Sequence, residues 1–241
     1  MNTWLQRVMY NPPWWAIILN SHFLPRRAIF NAMRGSGPSL EGRVLDVGCG
    51  TQPYRELLTS AHNVIGLELD TVENHTGAKR ADMFYDGGTM PFPERSFQGV
   101  LCNQVLEHTF DPNALLIEIA RILEPGGTLI LSVPFFWPEH EQPHDSQRFT
   151  SFGLANRLNS AGFDIAIQTK LVPGGSALCA LIADRINAMV TSWPLVLKLF
   201  VRAFVVAPWS ILGCVLLCLP RRDPALYLDN FVVARKRLEM S

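Results

Sequence analysis

The sequence predicts an α/β fold, a mostly parallel sheet with helices on both faces. Three observations predict it. Short β-branched apolar runs alternate with helical periods from Arg43 onward. The first run ends in an acid and a glycine-punctuated turn, "RVLDVGCGT". A later run ends in a second acid, Glu68, about twenty residues past that turn, the spacing this architecture uses to place a carboxylate at a ribose.

The elements follow in order. "RVLDVG" reads as a buried strand, Gln52 to Ser60 as a helix, "NVIGLEL" as a second strand and "AKRADMF" as a weak third. "FQGVLCN" is a fourth strand and Pro112 to Leu123 a helix; "GGTLILSVP" is a fifth strand, entered from the turn "EPGG". Ser151 to Ala161 is a helix entered from Thr150, "FDIAIQT" a sixth strand, and "YLDNFVVARK" a last strand-like run. Such a sheet binds ligands at the carboxyl ends of its strands.

Composition narrows the class. Lysine plus arginine and aspartate plus glutamate number 21 each, so the chain as a whole offers no attraction to nucleic acid. Apolar residues reach 48% and charged ones only 17%, which places apolar surface outside an ordinary core. Cys49, Cys102, Cys179, Cys214 and Cys218 lack metal-type pairing and read as reduced, small apolar residues. The apolar "WWAIIL" is not followed by a cleavage site, so an intracellular protein is expected.

Gly48 and Gly50 after Asp46 let the backbone turn sharply and approach a ligand. The position of a third dinucleotide-loop glycine holds Pro53, and no lysine serves a triphosphate, so phosphate is disfavoured. Asp46 suits an α-amino group and Glu68 a ribose, while Asp82 with Met83 suits an amine-bearing flat base. Together they suggest S-adenosylmethionine.

From Val44 to Ile165 the chain resembles the class I S-adenosylmethionine-dependent methyltransferases of the methyltransferase type 11 group. The matching stretches are "VLDVGCGT", "VIGLELD", "MPFPERSFQGVLCNQVLEH", "DPNALLIEIARILEPGGTLILSVP" and "GLANRLNSAGF". The resemblance implies a Rossmann-like sheet of seven strands, the last antiparallel beside the sixth. It also implies a cofactor site of Asp46, Gly48 and Gly50 at the amino-acid portion, Glu68 at the ribose, Asp82 and Met83 at the adenine, and Asn103 and Gln104 near the methionine, with Cys49 and Leu69 also in the cofactor site. Two positions depart from the family pattern: Gln52 stands for the third loop glycine and Gln98 for the aspartate of "SFD". "GCGTQPY", "YDGGTMPFP" and "HEQPHDSQRFT" look like a bacterial subfamily associated with surface-polysaccharide and lipid-glycan genes.

Methyl transfer is an in-line displacement, and a hydroxyl acceptor also calls for a base. His108 in "VLEH" and His140, His144 and Asp145 in "FFWPEHEQPHDSQRFT" are the candidates, against structural roles such as an Asp145 to Arg148 salt bridge. Some relatives carry E-x-x-E-H at the first position; Gln104 replaces its first acid, and no metal site is expected.

Four segments result: a helical, aromatic-rich cap over 1–40, the cofactor-binding core over 41–171, an apolar helical insertion over 172–222, and the final strand with its tail over 223–241. Ala203 to Leu219 carries no charge, Arg202, Arg221 and Arg222 flank it, and Pro208 is expected to kink a helix too short to span a bilayer. An insertion whose two ends return to one sheet excludes a single crossing, leaving a helical hairpin, an interfacial helix pair or an apolar lid. Trp4, Trp14, Trp15, Arg26 and Arg27 resemble interfacial anchors. The expected protein methylates a hydrophobic or lipid-linked acceptor, at oxygen, against the cytoplasmic face of the membrane, with no nucleic-acid partner; a homodimer is an alternative use of the apolar surface. The competing reading is a membrane-associated scaffold that kept the fold without catalysis.

Overall fold

The computed structural model describes residues 3–76, 81–220 and 225–238. The flanking Arg221 and Arg222, the 222/223 boundary and the start of the expected third strand at 78–80 lie outside them. The chain forms two compact units, one of residues 32–169 with 230–241 and one of 1–31 with 170–229.

The first is a seven-stranded sheet in the order β3-β2-β1-β4-β5-β7-β6. Its strands are β1 (Gly42–Val47), β2 (Ala61–Leu69), β3 (Met83–Tyr85), β4 (Phe97–Asn103), β5 (Leu123–Pro134), β6 (Phe163–Leu171) and β7 (Asp229–Lys236). β1 to β5 pair in parallel. The Leu228 amide donates to Leu171 O (3.0 Å) and that of Arg237 to Gly162 O (2.9 Å), so β7 runs antiparallel to β6. Leu45, Val47, Leu67, Val100, Leu129 and Leu131 build a continuous core with Leu116 and Ile119 from the helix before β5. Strands covered on both faces explain why the runs read as unbroken apolar stretches.

The helices are α1 (Thr3–Tyr10), α2 (Phe23–Ser36), α3 (Val72–Thr76), α4 (Pro112–Ile122), α5 (Ser151–Ser160), α6 (Gly175–Met189), α7 (Leu195–Val201) and α8 (Ala207–Leu217). α4 starts where Asp111 accepts from the amides of Asn113 (3.0 Å) and Ala114 (3.1 Å), with Pro112 inside the first turn. Thr150 caps α5 in the same way through Gly153 N (3.0 Å).

Two expectations are corrected. The helix expected over Gln52 to Ser60 is one 3-10 turn, Arg55–Leu57. Gln52 sits at φ +53°, Pro53 follows, and β2 begins at Ala61, which leaves no room for a second turn. The turn "EPGG" does not precede β5 but lies inside it: the register jumps from Phe97↔Leu123 to Gly99↔Thr128, with Gly126 at φ +79°.

In the second unit, α7, a π-helical turn (Arg202–Val206) and α8 form one continuous helix of 23 residues, Leu195–Leu217. It is roughly 34 Å long, which overturns the expectation of a helix too short to span a bilayer. The widened turn directly precedes Pro208, whose missing N–H and ring it accommodates. α6 packs along α8, where a Cβ on Gly213 would fall 3.2 Å from Cys179 Cβ of α6 and 2.4 Å from Leu24 Cδ1 of α2. Asp184 on α6 is buried and bridges His22 Nε2 (3.0 Å) and Arg185 Nε (2.9 Å).

Asp111→Ala should lower unfolding free energy by about 1 kcal/mol in urea denaturation, through loss of the α4 cap alone.

Candidate functional site

β1 ends at Val47, opposite Leu67 of β2 and Cys102 of β4, with Asp46 opposite Gly66 and Leu101. The loop leaving β1 folds over the end of β2: the Gly48 and Cys49 amides both donate to Leu67 O (2.9 and 3.2 Å). Gly48 has φ +61°, and a Cβ there would lie 2.4 Å from Val105 Cγ2, so only glycine fits. Gly50 also has positive φ, but a Cβ there would point into open space, as expected where backbone is kept bare for a ligand.

Glu68 is buried beneath this loop. Its Oε2 accepts from Gly50 N (3.0 Å) and its Oε1 from Leu69 N (3.3 Å), with Asn74 Nδ2 at 3.5 Å. Asp82 Oδ2 accepts from Gly66 N (2.7 Å) and lies 4.0 Å from Arg55 Nη1, which also bonds Gln52 Oε1 (2.7 Å). Leu69 and Met83 are exposed apolar residues on neighbouring strands, β2 and β3. One edge thus carries Asp46, Gly48, Cys49, Gly50, Glu68, Leu69, Asp82 and Met83.

Asp46 is 5% exposed, and burial, then the Glu68 carboxylate, push its pKa up to about 7 against the opposing pull of Arg55. A buried carboxylate so unfavourably placed is relieved by a cationic ligand. Burial pushes the Cys49 thiol up to about 12, which removes it as a nucleophile.

Asn103 ends β4 and Gln104 follows it. Ser132 Oγ donates to Asn103 Oδ1 (2.7 Å) and accepts from Gln104 Nε2 (3.1 Å), while Gln104, at φ +55°, donates its amide to Ser132 O (2.9 Å). Sequence reasoning missed Ser132 and Asn74; each depends on a neighbour that only the fold supplies. The two departures are also accounted for. Gln52 adopts the left-handed conformation itself, and Gln98 accepts from Arg43 N (2.8 Å) while its Nε2 donates to the Glu124 carboxylate. An aspartate at 98 would face that carboxylate with a second negative charge.

A second cluster lies just beyond, on the loops after β4 and β5. Asp145, 1% exposed at its side chain, is held by Arg148 through both oxygens (2.5 Å each), which keeps its pKa down at about 2. Its Oδ2 lies 2.9 Å from His140 N and 3.2 Å from His140 Nδ1, and Nδ1 is also 3.3 Å from Pro138 O. Both neighbours of Nδ1 are acceptors, so in the neutral imidazole Nδ1 carries the proton and Nε2 offers the lone pair. His108 packs edge-on against His140, centroids 5.0 Å apart, with Nε2 3.8 Å from Glu107 Oε1 and from Glu141 Oε2. Burial lowers the His108 pKa, so that ring is neutral at pH 7.

Glu107, His108 and His140 bring ligand atoms within 4.8 Å of one another, close enough to hold a divalent cation, a convergence that spacing in the sequence could not show. The structure does not add His144 to this cluster: it is exposed, and its amide donates to Glu141 O (3.1 Å). At the amino ends of the strands, where this architecture places no ligand, Gly42, His62, Gln98 and Glu124 line a shallow recess of about 580 Å³.

A nucleoside-binding Rossmann-like edge with an acid for an amino-acid portion defines the class. The chain carries a methyltransferase-type domain and resembles the class I S-adenosylmethionine-dependent methyltransferases. A methyltransferase-domain family model, Methyltransf_11, matches residues 45–131. A protein of Mycolicibacterium smegmatis named "Probable S-adenosylmethionine-dependent methyltransferase" is 29% identical over 178 residues, 69% of this chain and 66% of that protein. A ubiquinone biosynthesis O-methyltransferase of Dechloromonas aromatica is 32% identical over 136 residues, 49% of this chain and 56% of its own length. The crystal structure of an S-adenosylmethionine-dependent methyltransferase from Mesorhizobium loti superposes with a TM-score of 0.55 at 18% identity, covering 87% of this chain and 98% of that one, and shows the shared fold. The chain therefore spans less than two thirds of the length of these curated relatives.

Gly50→Val should weaken S-adenosylhomocysteine binding at least about tenfold by calorimetry. In the wild type, that affinity should fall as pH drops below about 7, because protonated Asp46 no longer attracts an ammonium. Asp46→Asn should raise the ligand-free melting temperature at pH 8, since a raised folded-state pKa costs stability as pH climbs, and the gain should vanish near pH 4.

Proposed function

We propose that this chain transfers a methyl group from S-adenosylmethionine to a hydroxyl oxygen of a hydrophobic or lipid-linked acceptor, with a glycan portion as one form of it, at the cytoplasmic face of the membrane. The observation that carries the reading is His140, oriented through Nδ1 by Asp145 on the loop after β5, whose carboxyl end neighbours that of β4.

The residues present fit the cofactor. Asp46 would hold its ammonium, Glu68 its ribose hydroxyls and Asp82 its exocyclic amine; Leu69 and Met83 would flank the base, while Gly48, Cys49 and Gly50 give the backbone close approach. Asn103 and Gln104, locked by Ser132, would border the methionine portion. When bound, the cofactor supplies an electrophilic methyl on a sulfonium. The protein's share is to align the acceptor, exclude water and remove one proton. His140 Nε2 takes that proton from the hydroxyl, and the ionised Asp145, fixed by Arg148, stabilises the resulting imidazolium. Neutral His108 borders the same space. The half-buried Phe135 and Trp137 and the exposed Phe136 supply apolar wall for a greasy acceptor.

A second reading is favoured by the convergence of Glu107, His108 and His140. In it these three would hold a divalent cation, which would supply Lewis-acid polarisation of the acceptor hydroxyl. Chelation separates the two: activity lost on dialysis against EDTA and restored by added metal supports the second, and unchanged activity the first.

Lipid extracts from cells with the protein should contain a species one methylene heavier than in cells without it, by mass spectrometry. His140→Ala should lower its formation by about a hundredfold while leaving S-adenosylhomocysteine affinity unchanged. Full product formation by that variant would remove His140 from the chemistry, and no product with the wild type would remove the lipid acceptor.

A further inference from the structure

The balanced net charge conceals a division. Residues 1–31 and 170–229 carry nine of the basic residues but only three acids, Asp184, Asp223 and Asp229; the remaining residues carry twelve basic against eighteen acidic ones. One unit is therefore +6 and the other −6. Of the three acids, Asp184 and Asp229 are buried, and Asp223 lies outside the described residues. No described acid of the basic unit faces solvent.

The same unit contains a helix with its polarity reversed. Along Leu195–Leu217, the buried positions are the small or short ones, Ala207, Ser210 and Gly213, joined by Val206. Large apolar residues stand outward at helical spacing: Val196, Phe200, Phe204, Ile211 and Val215. Lys198 and Arg202 lie on this helix, Arg202 anchored to Asn187 Oδ1 (2.8 Å). In the same unit, Trp14 and Trp15 are exposed, and Arg27 lies 4.3 Å over the Trp14 ring. Tryptophan and basic side chains beside large apolar residues suit the headgroup boundary of a bilayer.

The chain path decides between crossing and lying flat. Gly174 N donates to Leu226 O (2.7 Å) and Leu228 N to Leu171 O (3.0 Å), so both ends of the insertion emerge side by side. A crossing would need a second apolar leg. α6 is 15 residues long and carries the Asp184 and Arg185 pair midway; among the described residues, only Leu195–Leu217 is long and apolar enough.

From these observations we infer that the basic helical unit is a monotopic docking surface for anionic phospholipid, with Leu195–Leu217 lying in the plane of the interface, its phenylalanines in the acyl region and Lys198 and Arg202 at the phosphates. This deepens the membrane contact proposed above and rests on it, but not on methyl transfer. Charge complementarity selects the occupant, because a neutral surface or a second +6 unit gains nothing from the segregation.

The test is flotation of the full-length protein with vesicles of phosphatidylcholine alone or containing phosphatidylglycerol. Binding should be about tenfold or more tighter to the anionic vesicles and should weaken with salt. Phe200→Asp with Phe204→Asp should abolish flotation while S-adenosylhomocysteine binding persists, which certifies the fold. A second variant, Lys198→Glu alone, should weaken binding to anionic vesicles several-fold and leave the weak binding to neutral ones unchanged. Equal binding to both vesicles overturns the anionic selectivity and leaves membrane contact standing; no binding to either overturns both. A dimer in sedimentation that the double aspartate variant converts to monomer, without vesicle binding by the wild type, assigns the face to a second copy instead. Loss of S-adenosylhomocysteine binding by the wild type would sink the methyltransferase reading and leave this one untouched.

Discussion

The loop after β1 is fastened to the end of β2, and the rest of the site depends on that fastening. Two consecutive amides, of Gly48 and Cys49, share one carbonyl, Leu67 O, and the amide of Gly50 rests on the carboxylate one residue further along. These bonds exist because β1 and β2 run in parallel and β2 outlasts β1 by two residues, which brings Asp46 opposite Gly66 and leaves Glu68 just beyond the end of β1. The sharp turn itself exists because Gly48 can take a positive φ and has no Cβ to strike Val105. A buried acid at the end of β1 is costly in isolation. The fold tolerates it because a functional edge holds charge in readiness for a ligand of opposite sign.

The loops after β4 and β5 carry a second polar cluster. Arg148 grips Asp145, Asp145 fixes His140, and His140 stacks edge-on with His108. Each member sets the protonation or orientation of the next, so the imidazole facing outward is fixed by a guanidinium two steps behind it. The Asp145 to Arg148 salt bridge expected as a structural role is present, and the same carboxylate also holds His140.

Much of this was legible in the residues. β4 runs over "FQGVLCN" as read, and α4 and α5 begin at the caps their sequences announce, because apolar periodicity and capping are local properties. Asp46 and Glu68 stand toward the carboxyl ends of β1 and β2 as read, because this architecture places strand-end acids by rule. What was missed is long-range. Gln52 to Ser60 has helical composition but too few residues before β2, and "EPGG" has turn composition but is drawn into the sheet as an irregularity. No spacing relates His108 to His140, since the contact between them requires two neighbouring parallel strands to end together. The charge division escaped a count over the whole chain because the two segments of the basic unit are separated by most of the sheet.

The pinch at the base of the insertion has a wider meaning. Leu171 with Leu228 and Gly174 with Leu226 close its two ends before the helices begin, so β6 and β7 already meet the entropy of closing that loop. What lies beyond the pinch is free to vary in length and composition across evolution at little expense to the sheet. Such an excursion is a natural place for one ancestral scaffold to acquire different addresses within the cell.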